Sequence, residues 1–277
     1  MKKFKIAVCF SGQSRYWKEC AENIQHYFTF NGLHPNNGDP VEVDYFIHTW
    51  DINTWRYPKQ PHSNSFDEKV NNINEIAETY SAKKYIQENF IIKNHPRAWD
   101  SMFYSLHRSL FLKREYEIEN NFEYDVVFKV RLDVIYNPLK PLILEFLNPK
   151  TTVIPGVCYT SSQISKFSYE YNYNCFDDVF FYGDSRTMDL VGDLSCNYKI
   201  LHNESAVREL QDGIIFDPSL FYGPGTLLYD HMIRMGIHPE NKQHIEYSVM
   251  RSTAKELNLN TMRDYGEIKQ KNIEWYY

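Results

Sequence analysis

Tyr124-Asp125-Val126-Val127-Phe128-Lys129-Val130-Arg131-Leu132-Asp133 decides the fold of this chain. Val126, Val127, Phe128 and Val130 are β-branched or aromatic, as a strand covered on both faces requires. The run then ends in charge. Arg131 and Asp133 stand two apart, a spacing that puts both side chains on one side of an extended chain. Ligands of open α/β sheets sit beyond the carboxyl ends of the strands. A cation and a carboxylate held there point to a phosphate-bearing ligand with a divalent metal. A structural salt bridge capping the strand accounts for the pair at least as well.

Upstream, KIAVCF (residues 5–10) is a short apolar run suited to a central strand. The turn Ser11-Gly12-Gln13-Ser14-Arg15 ends it, and residues 16–30 carry apolar positions at helical spacing. Strand, tight polar turn and helix form the entry of a nucleotide-binding α/β unit. The turn has one glycine, so a GxGxxG dinucleotide fingerprint is absent. Gly12 lets backbone amides approach a ligand, while Ser11, Ser14 and Arg15 offer donors. A helix cap and a surface arginine are the plainer account. Residues 41–48 (VEVDYFIH) read as a second strand, with Val41, Val43, Tyr45 and Ile47 alternating against Glu42, Asp44, Phe46 and His48. Thr49, Trp50 and Asp51 follow on the same rim as residues 11–15.

Residues 52–66 read as a long polar loop, 67–80 as a helix, and 84–87 as a short edge strand. A longer helix follows over 97–120, with a core stripe of Trp99, Met102, Phe103, Leu106 and Leu110. Ser101, Tyr104 and Ser105 lie near its N-terminal end, where the helix dipole favours anions. Beyond the opening stretch, 138–147 reads as a turn and short helix and 152–155 as a strand. Residues 156–175 form a polar, tyrosine-rich loop. In Phe176-Asp177-Asp178-Val179-Phe180-Phe181-Tyr182-Gly183-Asp184, paired acids precede an apolar strand, and Gly183-Asp184 caps a helix over 185–198. Neighbours on a strand face opposite ways, so one of Asp177 and Asp178 faces a site. That carboxylate is a candidate general base; an acid at a strand edge explains it equally. His231 lies on a helix over 226–235, residues 245–250 read as a last strand, and residues 273–277 pack back on the body.

Composition narrows the classes. The chain has 277 residues, 43% hydrophobic and 24% charged, which suits one large α/β domain. The net charge of −6 and the lack of a basic run argue against nucleic acid and against anionic lipid. Aromatic residues reach 16%, good core filler that also suits stacking on sugar rings. Cys9, Cys20, Cys158, Cys175 and Cys196 form no CxxC pair and read as free thiols in a reducing compartment. The apolar run after the basic start is too short for an export segment, and no run is long enough to span a membrane.

Four pieces taken together carry a resemblance. They are Ile6-Ala7-Val8-Cys9-Phe10-Ser11-Gly12-Gln13-Ser14-Arg15, Asp44-Tyr45-Phe46-Ile47-His48-Thr49-Trp50, the run from Ser101-Met102-Phe103-Tyr104-Ser105 to Arg131-Leu132-Asp133, and Asp177-Asp178-Val179-Phe180-Phe181-Tyr182-Gly183. In this order and spacing the chain resembles small bacterial and phage glycosyltransferases with the GT-A fold, over roughly its first two thirds. The resemblance implies a single three-layer α/β/α Rossmann-like domain with a mostly parallel central sheet. Its nucleotide-binding part spans about 1–135 and its acceptor-binding and C-terminal part about 136–277. It implies a UDP-linked or other nucleotide-sugar donor held by Ser11, Gly12, Gln13, Arg15, Thr49, Trp50, Asp51, Ser101, Tyr104 and Arg131. A glycan or saccharide is the acceptor, and the cytoplasm (the host's, for a phage protein) is the compartment.

Enzymes of this kind carry Asp-x-Asp where this chain has Arg131-Leu132-Asp133. Asp133 is then the remaining ligand for Mn²⁺ or Mg²⁺, and Arg131 takes over part of the metal's role. His231, His238 and His244 are candidates for a further ligand, each read more simply as an ordinary histidine. Asp178 is the expected base, with Asp177 the alternative. Two rivals stand beside this reading. A nucleotidyltransferase would show a glycine-rich basic phosphate loop, which residues 11–15 lack. A non-catalytic glycan-binding module would use tyrosines 159–173 and need no cation–carboxylate pair at a strand end.

Overall fold

The computed structural model of the chain describes residues 3–31, 33–35, 40–55, 66–91, 98–137, 142–144, 147–153, 179–196, 208–209, 215–216, 224–240, 247–249 and 275–276. The central sheet has seven strands: β1 (Phe4–Gly12), β2 (Val41–Trp50), β3 (Lys84–Glu88), β4 (Val126–Val130), β5 (Thr151–Val153), β6 (Phe181–Gly183) and β7 (His238–Glu240). Their spatial order is β3-β2-β1-β4-β6-β5-β7. β6 runs antiparallel to β4 and β5, and the other neighbouring pairs are parallel. The helices are α1 (Trp17–His26), α2 (Ile73–Tyr80), α3 (Ala98–Asn120), α4 (Ser185–Gly192) and α5 (Pro224–Arg234). The protein is thus α/β with a mostly parallel sheet.

All five residues of β4 are buried. Val126, Phe128 and Val130 join Ile6, Val8 and Phe10 of β1, Tyr45 and Ile47 of β2, and residues of α1 and α2 in one core cluster. Val127 joins Ala7, Cys9 and Phe46 with residues of α3, α4 and α5 in another. Each fully buried Val or Phe contributes about 1.5–3 kcal/mol. Lys129 is buried in this apolar company, and its ammonium donates to the Val179 carbonyl at 3.1 Å. The residues before β4 fix its register. Asp125 accepts from the Lys5 amide at 2.8 Å and its own amide donates to the Lys5 carbonyl at 2.9 Å. The Tyr124 hydroxyl donates to Asp44 of β2 at 2.7 Å.

Several expectations need correction. Residues 44–50 of β2 are all buried, so the apolar/polar alternation is not an inside/outside pattern; both faces of the strand are covered. Phe66–Lys69 is a strand, not the start of a helix, because it pairs antiparallel with Ile52–Trp55. The helix begins only at Ile73. The long loop expected at 52–66 accordingly opens on a strand. Leu142–Leu144 is a strand beside Leu33–Pro35 rather than part of a helix. Val134–Tyr136, which no pattern announced, pairs with Tyr247–Val249, and Trp275–Tyr276 adds to that strand in turn. α4 ends at Gly192, but after Asp193 residues 194–196 are helical again, and 197 and 198 lie outside the described residues. Its predicted cap is present: Asp184 accepts from the Thr187 amide at 2.9 Å.

Candidate functional site

β1 and β4 lie side by side, yet the chain leaves them in opposite directions. β1 leads to β2 and β3 on one side, and β4 to β5, β6 and β7 on the other. This is a switch point, where the turns after parallel strands diverge and leave a crevice at the carboxyl ends. One turn carries Gln13, Ser14 and Arg15. The other carries Arg131, Leu132 and Asp133.

The two turns meet at Asp133. The chain leaves the extended conformation after Val130, so Arg131 and Asp133 are not parallel neighbours on a strand. The turn folds them onto each other instead. Arg131 donates to Asp133 through Nε at 2.8 Å and Nη2 at 2.7 Å, a bidentate pair. Arg15 Nη2 approaches the same carboxylate at 3.4 Å. Asp133 is buried, while both arginine side chains keep about a quarter of their surface exposed, at 28% and 27%. Burial alone raises the Asp133 carboxyl; the charge and hydrogen bonds of Arg131, with Arg15 behind, outweigh it and hold the group below the usual carboxylate range.

The backbone of the first turn is tightly specified. Gly12 has φ +119°, a conformation that suits glycine, and Tyr16 stands left-handed at φ +50° before α1. The Gly12 amide donates to Ser105 Oγ of α3 at 2.6 Å. Ser14 Oγ accepts from Asn72 at 3.1 Å. Ser11 and Ser14 are buried, and Gln13 is half-buried.

On the neighbouring rim, Thr49 and Trp50 are buried. Trp50 stacks on Tyr104 with ring centroids 5.5 Å apart and meets Phe90 edge-on at 5.4 Å. Asp51 accepts from the Phe90 amide at 2.7 Å, and its carbonyl accepts from the Val70 amide at 2.8 Å. Tyr104 donates to Glu88 at 2.7 Å, and Ser101 lies half-buried a turn earlier in α3. The structure therefore brings Arg15, Arg131 and Asp133 together. It gives Thr49, Trp50 and Asp51 packing and anchoring contacts beside them.

Asp177 and Asp178 lie outside the described residues, as do residues 156–175 and His244. His231 is a buried helix residue bonded to the Leu190 carbonyl at 2.8 Å, an ordinary core role. Among the described residues Cys9, Cys20 and Cys196 are free thiols, and no group of three or more His, Cys, Asp or Glu is placed to hold a metal. No described helix is long and apolar enough to cross a membrane. His48 and Glu88 were missed by sequence reasoning. The available signal was a histidine within an otherwise apolar strand end, next to Thr49 and Trp50. No protein-family model matches the chain, and no curated protein matches it.

Proposed function

We propose that this chain is a glycosyltransferase, a three-layer α/β/α domain of the GT-A kind that moves a hexose from a UDP-linked sugar to a glycan acceptor in the cytoplasm. The observation that carries this reading is the Arg15–Asp133–Arg131 group at the switch point. Glycosyl transfer leaves negative charge on the departing diphosphate, and fixed cations aimed at that charge lower the barrier. Guanidiniums suit the task because their donors match phosphate oxygens in pairs. Asp133 holds the Arg131 fork by both oxygens and sets its direction.

A divalent cation supplies the same stabilisation where one is bound. Asp133 as placed does not fit one, because its oxygens already accept from Arg131 and a second guanidinium stands at 3.4 Å. Charge stabilisation falls to Arg15 and Arg131 in this reading. Asp178, or Asp177 in its place, takes the proton of the acceptor hydroxyl. Val179, next in sequence, is held by Lys129 at the carboxyl end of β4.

The test is a panel of nucleotide-sugars, with Mn²⁺, with Mg²⁺ and with chelator, read by melting temperature and by release of the nucleotide. A UDP-sugar raises the melting temperature, and Asp178→Asn abolishes release while leaving that shift intact. A panel in which no nucleotide-sugar shifts the melting point and glycans do would replace the enzyme reading with a glycan-binding one.

A further inference from the structure

Behind the Gly12 turn lies a buried chain of polar contacts that the proposed chemistry does not use. Ser105 Oγ receives the Gly12 amide at 2.6 Å and stands 2.7 Å from His48 Nδ1. The hydroxyl also reaches the His48 carbonyl at a longer 3.5 Å. His48 Nε2 faces Glu88 at 3.8 Å. Glu88 is itself fixed by Tyr104 Oη and Arg108 Nε, each at 2.7 Å. Trp50 and Tyr104 pack their rings against the imidazole, with centroids at 4.9 and 5.8 Å.

Serine, histidine and glutamate in contact are also the parts of a nucleophilic site. That role fails here because Ser105 and His48 are both fully buried. A buried chain whose first donor is the amide of a glycine at φ +119° has another use. It fixes the direction of one peptide plane, and with it the turn that carries Arg15.

We infer that Ser105 and His48 are positioning residues that hold the Gly12–Arg15 turn open for a phosphate-bearing ligand, with Glu88, Tyr104 and Arg108 orienting the imidazole. The inference rests on the nucleotide-sugar reading for its ligand, but its geometry is testable without one. Partly formed polar networks are costly and fully formed ones are rigid, so removing the hydroxyl loosens the turn rather than merely trimming a side chain.

The experiment is nitrogen-15 NMR of the whole chain beside titration with UDP, for wild type, Ser105→Ala and His48→Phe. Wild type shows a downfield, exchange-protected Gly12 amide. Ser105→Ala moves the Gly12 amide upfield, speeds its exchange and weakens UDP binding about tenfold, a loss of the size expected for one hydrogen bond, while amides of β4 and α4 stay in place. His48→Phe keeps the serine and gives a smaller change in the same two readouts. A Gly12 amide and a UDP affinity both unmoved in Ser105→Ala overturn the inference. Wild type that binds no UDP, with the Gly12 amide still tied to Ser105, overturns the nucleotide reading and the ligand named here, and so separates the two failures.

Discussion

At the scale of single residues, Asp133 is the most constrained group. Its charge is kept by Arg131 and Arg15 against the cost of burial. A carboxyl held below its ordinary value contributes stability that is fully present above that value, near 3.8, and is lost as pH falls through the folded value. Asp133→Asn therefore lowers stability at neutral pH, and the gap from wild type closes below about pH 4; urea titrations at a series of pH values measure it. Arg131→Lys keeps the charge but not the fork. It retains the fold and loses about 10²-fold in turnover, the scale seen when one fixed donor to a developing anion is removed. Gly12→Ala meets no neighbouring atom, since nothing lies within 4 Å of the added carbon. Its cost is backbone strain at φ +119°, roughly 1–3 kcal/mol, read as a drop in the urea midpoint.

Among the elements, α3 does two jobs. Its N-terminal half faces the rim through Tyr104 and Ser105. Its other half carries a buried ionic group: Lys113 reaches Glu117 at 3.0 Å, Ser185 Oγ at 2.5 Å and Asp189 at 2.7 Å. Glu117 also accepts from Ser185 at 2.6 Å and from the Tyr124 amide at 2.9 Å. This ties α3 to α4 and to the start of β4. Lys113→Met takes the lysine from Asp189 and from Glu117, which keeps Arg114 at 3.4 Å, and costs about 3–5 kcal/mol, whereas adding Glu117→Leu recovers part of it; chemical denaturation of both variants decides. How far such elements could be read from sequence follows from what stabilises them. β1 and β4 were legible because continuous apolar runs need no partner to be recognised. Phe66–Lys69 was not, since its charges suit a helix and only pairing with Ile52–Trp55 makes it a strand. The inward turn of His48 was hidden because β2 is covered on both faces, which erases the alternation that separates a buried side from a wet one. Arg131 and Asp133 were visible as a pair. Arg15 joins them only because β1 and β4 are neighbours, a fact of topology that neither turn encodes.

For the molecule as a whole, the sheet order sets where chemistry is possible. With β1 and β4 central and their connections diverging, the turns after them converge on one crevice. Three charged groups in that crevice come from two distant segments, so the site exists only when the sheet is assembled. In a chain of net charge −6 this local pair of guanidiniums is the more distinctive. In the proposed function they bind the diphosphate of a nucleotide-sugar without requiring a metal. Calorimetric titration of UDP in the presence of EDTA, on wild type and on Arg15→Ala, tests it most directly. Binding by wild type in EDTA, weakened about tenfold or more in Arg15→Ala, is the predicted result. Binding that appears only when Mn²⁺ or Mg²⁺ is restored, or that Arg15→Ala leaves unchanged, would contradict it.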